Sequence, residues 1–225
     1  MLSELSLSGQ RGVNMGMNVT QITEFTRSRC KIYIDQEFAF VLYKGELRLY
    51  RIREGEDIAD DNYCTIMKEV LPRRAKLRCM NLLKSREYTE AQLRGKLQQG
   101  FYPEAVIDEA IAYMASYHYI DDLRYAVRYL SCYETARSQR RMEQDLWKKG
   151  IAGTVVEQAL IEWEAESGGQ DEMAMIRKLL EKKKYNASTA DLKEQQRIYA
   201  FLMRKGYSAG GIRKAMKLQT ADYCG

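Results

Sequence analysis

The chain has 225 residues, 45% of them hydrophobic and 30% charged, and a net charge of +5 at neutral pH. With a mean hydropathy of −0.51 and no apolar run near the roughly 18 residues of a membrane span, a transmembrane helix is excluded and a soluble, cytoplasmic protein is expected. The length allows one large domain or two to three small ones.

Residues 1–18 are polar, contain glycine and lack periodicity, which predicts a disordered N-terminal extension. They hold no basic region followed by an apolar core, so no secretory signal is read there. Residues 19–71 are expected to form a small strand-rich domain, a β-meander followed by a helix. Within it RCKIYID, EFAFVLY and ELRLYRI alternate apolar and polar side chains and are rich in Ile, Val, Tyr and Phe, the pattern of strands. Turns are expected at Asp35-Gln36 and Lys44-Gly45. The helix beginning in DDNYCTIMKEVL would supply the packing surface a small sheet needs.

From Pro72 onward the chain holds one further proline, Pro103, and apolar residues recur at i, i+3, i+4 and i+7, which predicts helices throughout. Three segments superpose without gaps: QLRGKLQQGFYPEAVIDEAI, RMEQDLWKKGIAGTVVEQAL and RIYAFLMRKGYSAGGIRKAM, at offsets of 49 and 56 residues. The shared frame runs Leu93, Met142, Ile198; Leu97, Leu146, Leu202; Phe101, Gly150, Gly206; Tyr102, Ile151, Tyr207; Ile107, Val156, Ile212; Ala110, Ala159, Ala215; and Ile111, Leu160, Met216. The first two positions lie on one helical face, and Gly150 and Gly206 fit the left-handed site that ends such a helix. Phe101 at that site is the exception, so the first copy is expected to end its helix another way. Thr89 and Ser138 stand where N-caps belong. Upstream helices Arg74–Lys84, Leu123–Glu134 and Glu172–Lys183 complete three-helix units over residues 72–120, 121–168 and 169–219, with a tail over 220–225. The expected fold is therefore mainly α, three tandem helix-turn-helix-like units in an elongated array. A 12-residue helix is about 18 Å long, so three units would reach on the order of 60 to 80 Å.

At the junction of the first two units stands HYIDDLRYA. Asp121 is placed to cap the following helix, Asp122 lies in its first turn, and His118 ends the helix before. No catalytic residues are assigned, because no nucleophile or orienting partner accompanies this single histidine. Five cysteines without a CxxC pair argue for reduced thiols, and neither a metal site nor a cofactor is expected.

YIDDLRYA, the repeated L-x3-G-[aromatic or Ile] helix pairs and the terminal RKGYSAGGIRKAM together resemble the RecX family of bacterial recombination regulators, over about residues 72–218. His118 and Phe101 depart from it where Gly is usual. The strand-rich N-terminal segment is similar to the extension of some Gram-positive members. The resemblance implies a non-enzymatic regulator that binds the RecA filament along its groove, inhibits ATP hydrolysis and strand exchange, and contacts DNA.

Charge distribution is compatible with such a partner. Residues 171–225 carry twelve Lys or Arg against six Asp or Glu. Candidate contacts to phosphates or an acidic partner are Arg137, Arg140, Arg141, Lys148 and Lys149 in the second unit. In the third they are Arg177, Lys178, Lys182, Lys183, Lys184, Arg204, Lys205, Arg213, Lys214 and Lys217. The expected DNA is single-stranded, with duplex as a second form, bound without sequence preference by a monomer. The competing reading of these charges is internal neutralisation by Glu143, Asp145 and Glu181. Tyr125, Tyr129 and Tyr133, spaced four apart, are read as packing rather than base-stacking residues. Two other function classes fit helix-turn-helix-like units, a sequence-specific transcriptional regulator and a protein scaffold without nucleic acid.

Overall fold

Side-chain alternation sets the N-terminal sheet. In β2 (Arg29–Ile34) Cys30, Ile32 and Ile34 are buried while Arg29, Lys31 and Tyr33 are half-buried, the period of two that gives a strand one covered face. β3 (Glu37–Tyr43) pairs with it antiparallel across Asp35-Gln36, whose φ values of 50° and 72° are those of a tight hairpin turn matched to strand twist. This computed structural model describes residues 17–217. β1 (Met17–Thr26) lies on the other side of β2, and β4 (Asp57–Ile58) pairs with the start of β1, giving the antiparallel order β3-β2-β1-β4.

Two expectations change here. ELRLYRI is not a third strand: α1 (Lys44–Leu49) begins at the expected turn Lys44-Gly45. The Glu46 carboxylate accepts the Tyr43 N–H at 2.8 Å, a helix-start contact that overrides the alternation of Leu47 and Leu49, and Leu49 ends up 71% exposed. The place of that strand is taken by β1, so Met17 and Asn18, expected to be disordered, pair with Ile58 and Asp57. Residues 1–16 of the expected extension, and the tail beyond residue 217, lie outside the described residues.

α2 (Asp60–Thr65) runs through a π-helical turn (Ile66–Val70) into α3 (Leu71–Leu83), so the helix expected from Arg74 starts earlier. The Leu71 N–H donates to the Ile66 carbonyl five residues back. That one wide turn keeps Ile66, Leu71, Ala75 and Cys79 on one buried stripe and lets Pro72, which has no N–H, sit inside a continuous helix. Burial also pushes the Cys79 thiol up to about 11, out of the reactive range.

Contacts divide the chain into two compact units, one of residues 17–79 and 96–112, the other of residues 80–95 and 113–217. In the first, Val19, Ile32, Phe40, Leu42, Ile66 and Leu71 are buried. α4 (Glu90–Gln98) and α5 (Glu104–Ser116) complete the first three-helix repeat with α3, and all three pass from one unit into the other. The second unit holds the other two repeats, each with its own core. α6 (Asp122–Tyr133), α7 (Gln139–Lys148) and α8 (Gly153–Ser167) enclose Leu130, Met142, Leu146, Val156 and Trp163. α9 (Glu172–Lys182), α10 (Leu192–Arg204) and α11 (Ala209–Met216) enclose Ile176, Leu180, Ile198, Leu202 and Ile212.

All three middle helices end alike. Gly150 and Gly206 have φ of 85° and 89°, and the following residues, Ile151 and Tyr207, donate their N–H groups to Leu146 and Leu202 at 3.3 Å. Phe101 adopts the same left-handed conformation at φ 59°, with Tyr102 N–H on the Leu97 carbonyl at 3.3 Å. The expectation that the first copy ends its helix differently is thus corrected. A Cβ on Gly150 would stand 2.2 Å from the Ala91 Cβ, and one on Gly206 2.6 Å from the Ser138 hydroxyl. Phe101 instead packs edge-on against Phe25 at 5.0 Å and under the Lys31 ammonium at 3.7 Å.

These clearances set a measurable contrast. Gly150→Ala should lose roughly 2 to 4 kcal/mol in urea unfolding, from backbone strain plus the clash. Gly168→Ala, at φ 77° with nothing within 4 Å, should lose only the strain, about 1 kcal/mol.

Candidate functional site

A doubled joint builds the site. Ser138 caps α7 by accepting the Arg141 N–H at 3.4 Å, and its hydroxyl donates to the Lys205 carbonyl at the end of α10, at 2.7 Å. Thr89 does the same one repeat earlier, accepting from Gln92 N–H at 3.3 Å and donating to the Lys149 carbonyl at 2.7 Å. Both hydroxyl residues are buried, at 0% and 2% exposure for Thr89 and Ser138. The positive start of one helix therefore meets the negative end of the next, and an orphan terminal carbonyl gains a donor. Gln170 braces the second joint, donating to the Arg137 carbonyl at 2.7 Å and accepting the Gln139 N–H at 3.0 Å.

HYIDDLRYA belongs to the first joint. Asp121 accepts the Arg124 N–H at 2.9 Å and caps α6, as its position predicts. Asp122 lies in the first turn of α6, but its carboxylate accepts the Glu90 N–H at the start of α4, at 2.9 Å. Burial raises the pKa of this carboxyl above its ordinary value despite that hydrogen bond. His118, at φ 55°, is the left-handed residue that closes α5, and its carbonyl accepts from the Arg124 guanidinium at 3.1 Å.

Beside the second joint opens a cleft of about 590 Å³ lined by Tyr133, Arg137, Arg141, Phe201, Arg204, Lys205 and Tyr207. The Arg137 guanidinium lies 4.2 Å from the Tyr133 ring centroid and 2.5 Å from an Asp145 oxygen, and Arg141 reaches Asp145 at 3.4 Å. Burial, with Asp145 adding to it, pushes the Tyr129 phenol up to about 12, so it stays neutral and donates to that carboxylate at 3.3 Å. One carboxylate thus faces two guanidiniums. Phe201 lies under the Lys183 and Lys205 ammoniums at 4.9 and 5.8 Å. Among the described residues no carboxylate lies within ion-pair distance of Lys183, Arg204 or Lys205.

Of the sequence-predicted cations, Arg137, Arg141, Arg204 and Lys205 converge on this cleft and Lys183 reaches its Phe201 wall. Arg140 lines a neighbouring depression with Glu143 and Glu172, and Lys178 lines one with Glu134 and Asp171. Lys149 sits over Tyr125 and Tyr129 at 5.6 and 5.4 Å. Lys148, Arg177, Lys182, Lys184, Arg213, Lys214 and Lys217 do not line the cleft; Lys184, at φ 55°, is the left-handed residue after α9. Neutralisation by Asp145 is real for Arg137 and Arg141. Tyr125, Tyr129 and Tyr133 pack against the core of the second repeat, as read, while Tyr133 also faces the cleft. Sequence reasoning passed over Phe201. Its signal was the position just before Leu202, occupied by charged Lys96 and Asp145 in the other copies.

Known proteins resemble this chain along most of its length. Residues 75–114 match the model of the first three-helix domain of RecX and residues 170–216 that of the third. A regulatory protein RecX of Caldanaerobacter subterraneus is 28% identical, the match covering 90% of this chain and all of the relative. One from Clostridium acetobutylicum is 25% identical over 85% of this chain and 90% of the relative. A crystal structure of regulatory protein RecX superposes with a TM-score of 0.58 at 21% identity, covering 89% of this chain and 98% of that one. RecX from Lactobacillus salivarius superposes with 0.53 at 21% identity, over 66% and 96% of the two chains. At that identity the two structures establish the fold.

Asp122 gives a pH test of the first joint. A carboxyl whose pKa is raised on folding favours the folded state below its unfolded pKa, near 4, and loses that contribution as pH climbs through the raised value. Asp122→Asn keeps an oxygen for the Glu90 N–H without a charge to desolvate. Its melting temperature should equal or exceed the parent's at pH 7, the difference shrinking toward pH 4, whereas Asp122→Ala should lose about 1 kcal/mol at neutral pH.

Proposed function

Because this chain belongs to the RecX family, a family of regulatory proteins and not enzymes, we propose that it regulates by binding the RecA nucleoprotein filament along its groove. In this reading it inhibits ATP hydrolysis and strand exchange and so modulates homologous recombination and DNA repair in the cytoplasm. The observation that carries the reading is the cleft beside the second joint. Its uncompensated Arg204 and Lys205, set among Tyr133, Phe201 and Tyr207, suit a partner that presents phosphates and flat bases together. Single-stranded DNA held in a recombinase filament is such a partner, and contacts to phosphate carry no sequence preference. Regulation then comes from occupancy, as suits a family of regulatory proteins and not enzymes.

Substoichiometric protein should slow RecA-dependent ATP hydrolysis on single-stranded DNA. Arg204→Glu/Lys205→Glu should weaken that inhibition while leaving helicity intact. It should also lower the slope of log affinity against log salt by roughly 1.4, at about 0.7 per lost single-strand phosphate contact. Unchanged ATP turnover with the parent protein would overturn the regulatory reading, and an equally potent variant would remove the cleft from it.

A further inference from the structure

The N-terminal sheet carries a group of cations and rings that has no part in the cleft. The second face of β2 presents Arg29, Lys31 and Tyr33, each half-buried, with Phe101 over Lys31 at 3.7 Å. A register shift in the β2–β3 pairing sets Phe38 opposite Tyr33, while Tyr43 stands opposite Arg29, so the irregularity brings Phe38 and Tyr43 onto the face shared by the cations. Both rings are open, at 39% and 42% exposure. They lie five residues apart on an edge strand, roughly 16 Å at about 3.3 Å per residue.

Of the cations on and beside this face, Arg74 lies 4.8 Å from the Tyr43 ring centroid and is paired with Glu46. Among the described residues no carboxylate lies within ion-pair distance of Arg29, Lys31 or the exposed Arg78. Arg29 and Lys31 rest on aromatic faces instead, 5.2 and 5.3 Å from the Phe25 centroid. Arg78 stands one helical turn along α3 from Arg74, whose guanidinium donates to the Val41 carbonyl of β3 at 3.1 Å, so both belong to the helix face turned to this strand. Phe38 meets the Tyr33 and Phe101 rings edge-on at 5.8 and 5.9 Å and Tyr43 lies under Arg74, yet more than a third of each residue stays open beside three cations without a carboxylate partner.

We propose that this sheet face is a second binding site, for single-stranded nucleic acid, with phosphates drawn to Arg29, Lys31 and Arg78 and unpaired bases stacked on Phe38 and Tyr43. A single strand is the occupant because a duplex hides its base faces, while an acidic peptide satisfies the cations and leaves the rings idle.

The test uses the full chain carrying Arg204→Glu/Lys205→Glu, so that the cleft does not mask the sheet and its failure is separate from that of the RecA reading. Binding is followed by fluorescence anisotropy with oligothymidylate and with an abasic deoxyribose-phosphate oligomer of equal length. Adding Phe38→Ala/Tyr43→Ala should cut affinity for oligothymidylate by about tenfold or more and leave the abasic oligomer unaffected. Adding Arg78→Glu, an exposed position, should weaken both. Irradiated 5-iodouracil oligomers should cross-link to peptides holding Phe38 or Tyr43. Unchanged oligothymidylate affinity in both variants, or adducts confined to residues 113–217, would overturn the proposal. So would loss of oligoglutamate binding with oligothymidylate binding retained.

Discussion

Two buried hydroxyl groups hold the repeats in register. Thr89 and Ser138 each accept from their own helix and donate to the last carbonyl of the corresponding helix in the next repeat. Only Ser or Thr can do both with one short side chain, because a carboxylate has no proton to give and an amide is longer. The third repeat makes the comparison internally. Its capping residue, Asp191, accepts the Glu194 N–H at 2.7 Å and stands exposed, with no further repeat among the described residues to receive a proton. Gly150 and Gly206 are the other half of the same constraint, since a Cβ on the first would strike Ala91, two residues past Thr89, and one on the second the Ser138 hydroxyl itself.

The cleft follows from that geometry. Bringing the start of α7 onto the end of α10 places Arg137 and Arg141 opposite Arg204 and Lys205, and like charges at such range repel unless something neutralises them. Asp145 answers for the first two only. The remaining charge is held at a seam whose position is fixed by buried hydrogen bonds. Support and charge therefore meet in one residue: the Lys205 carbonyl receives the Ser138 bond that holds the seam, and its ammonium faces Phe201.

Much of this was legible in the residues. The frame from Leu93 to Met216 predicted buried positions, helix ends and two of the caps because every copy solves the same packing problem. What escaped detection depended on contacts distant in sequence or on single-residue geometry. ELRLYRI alternates like a strand, yet Glu46 starts a helix and is engaged by Arg74 from α3. Pro72 looks like a boundary, and only the wide turn at Ile66–Val70 lets a helix pass through it. The cleft was half visible: a count of cations overstates it, because most of those named lie on other faces, and the aromatic floor at Phe201 shows only when the copies are compared column by column.

Phe101 bears on how such a chain can evolve. Internal glycines at this frame position leave room for the preceding repeat, but here the slot is filled by a ring lodged against Phe25 of the sheet. Inserting another copy upstream by tandem duplication would require this ring to be lost first, and Asp191 would leave a copy added downstream without its hydroxyl donor.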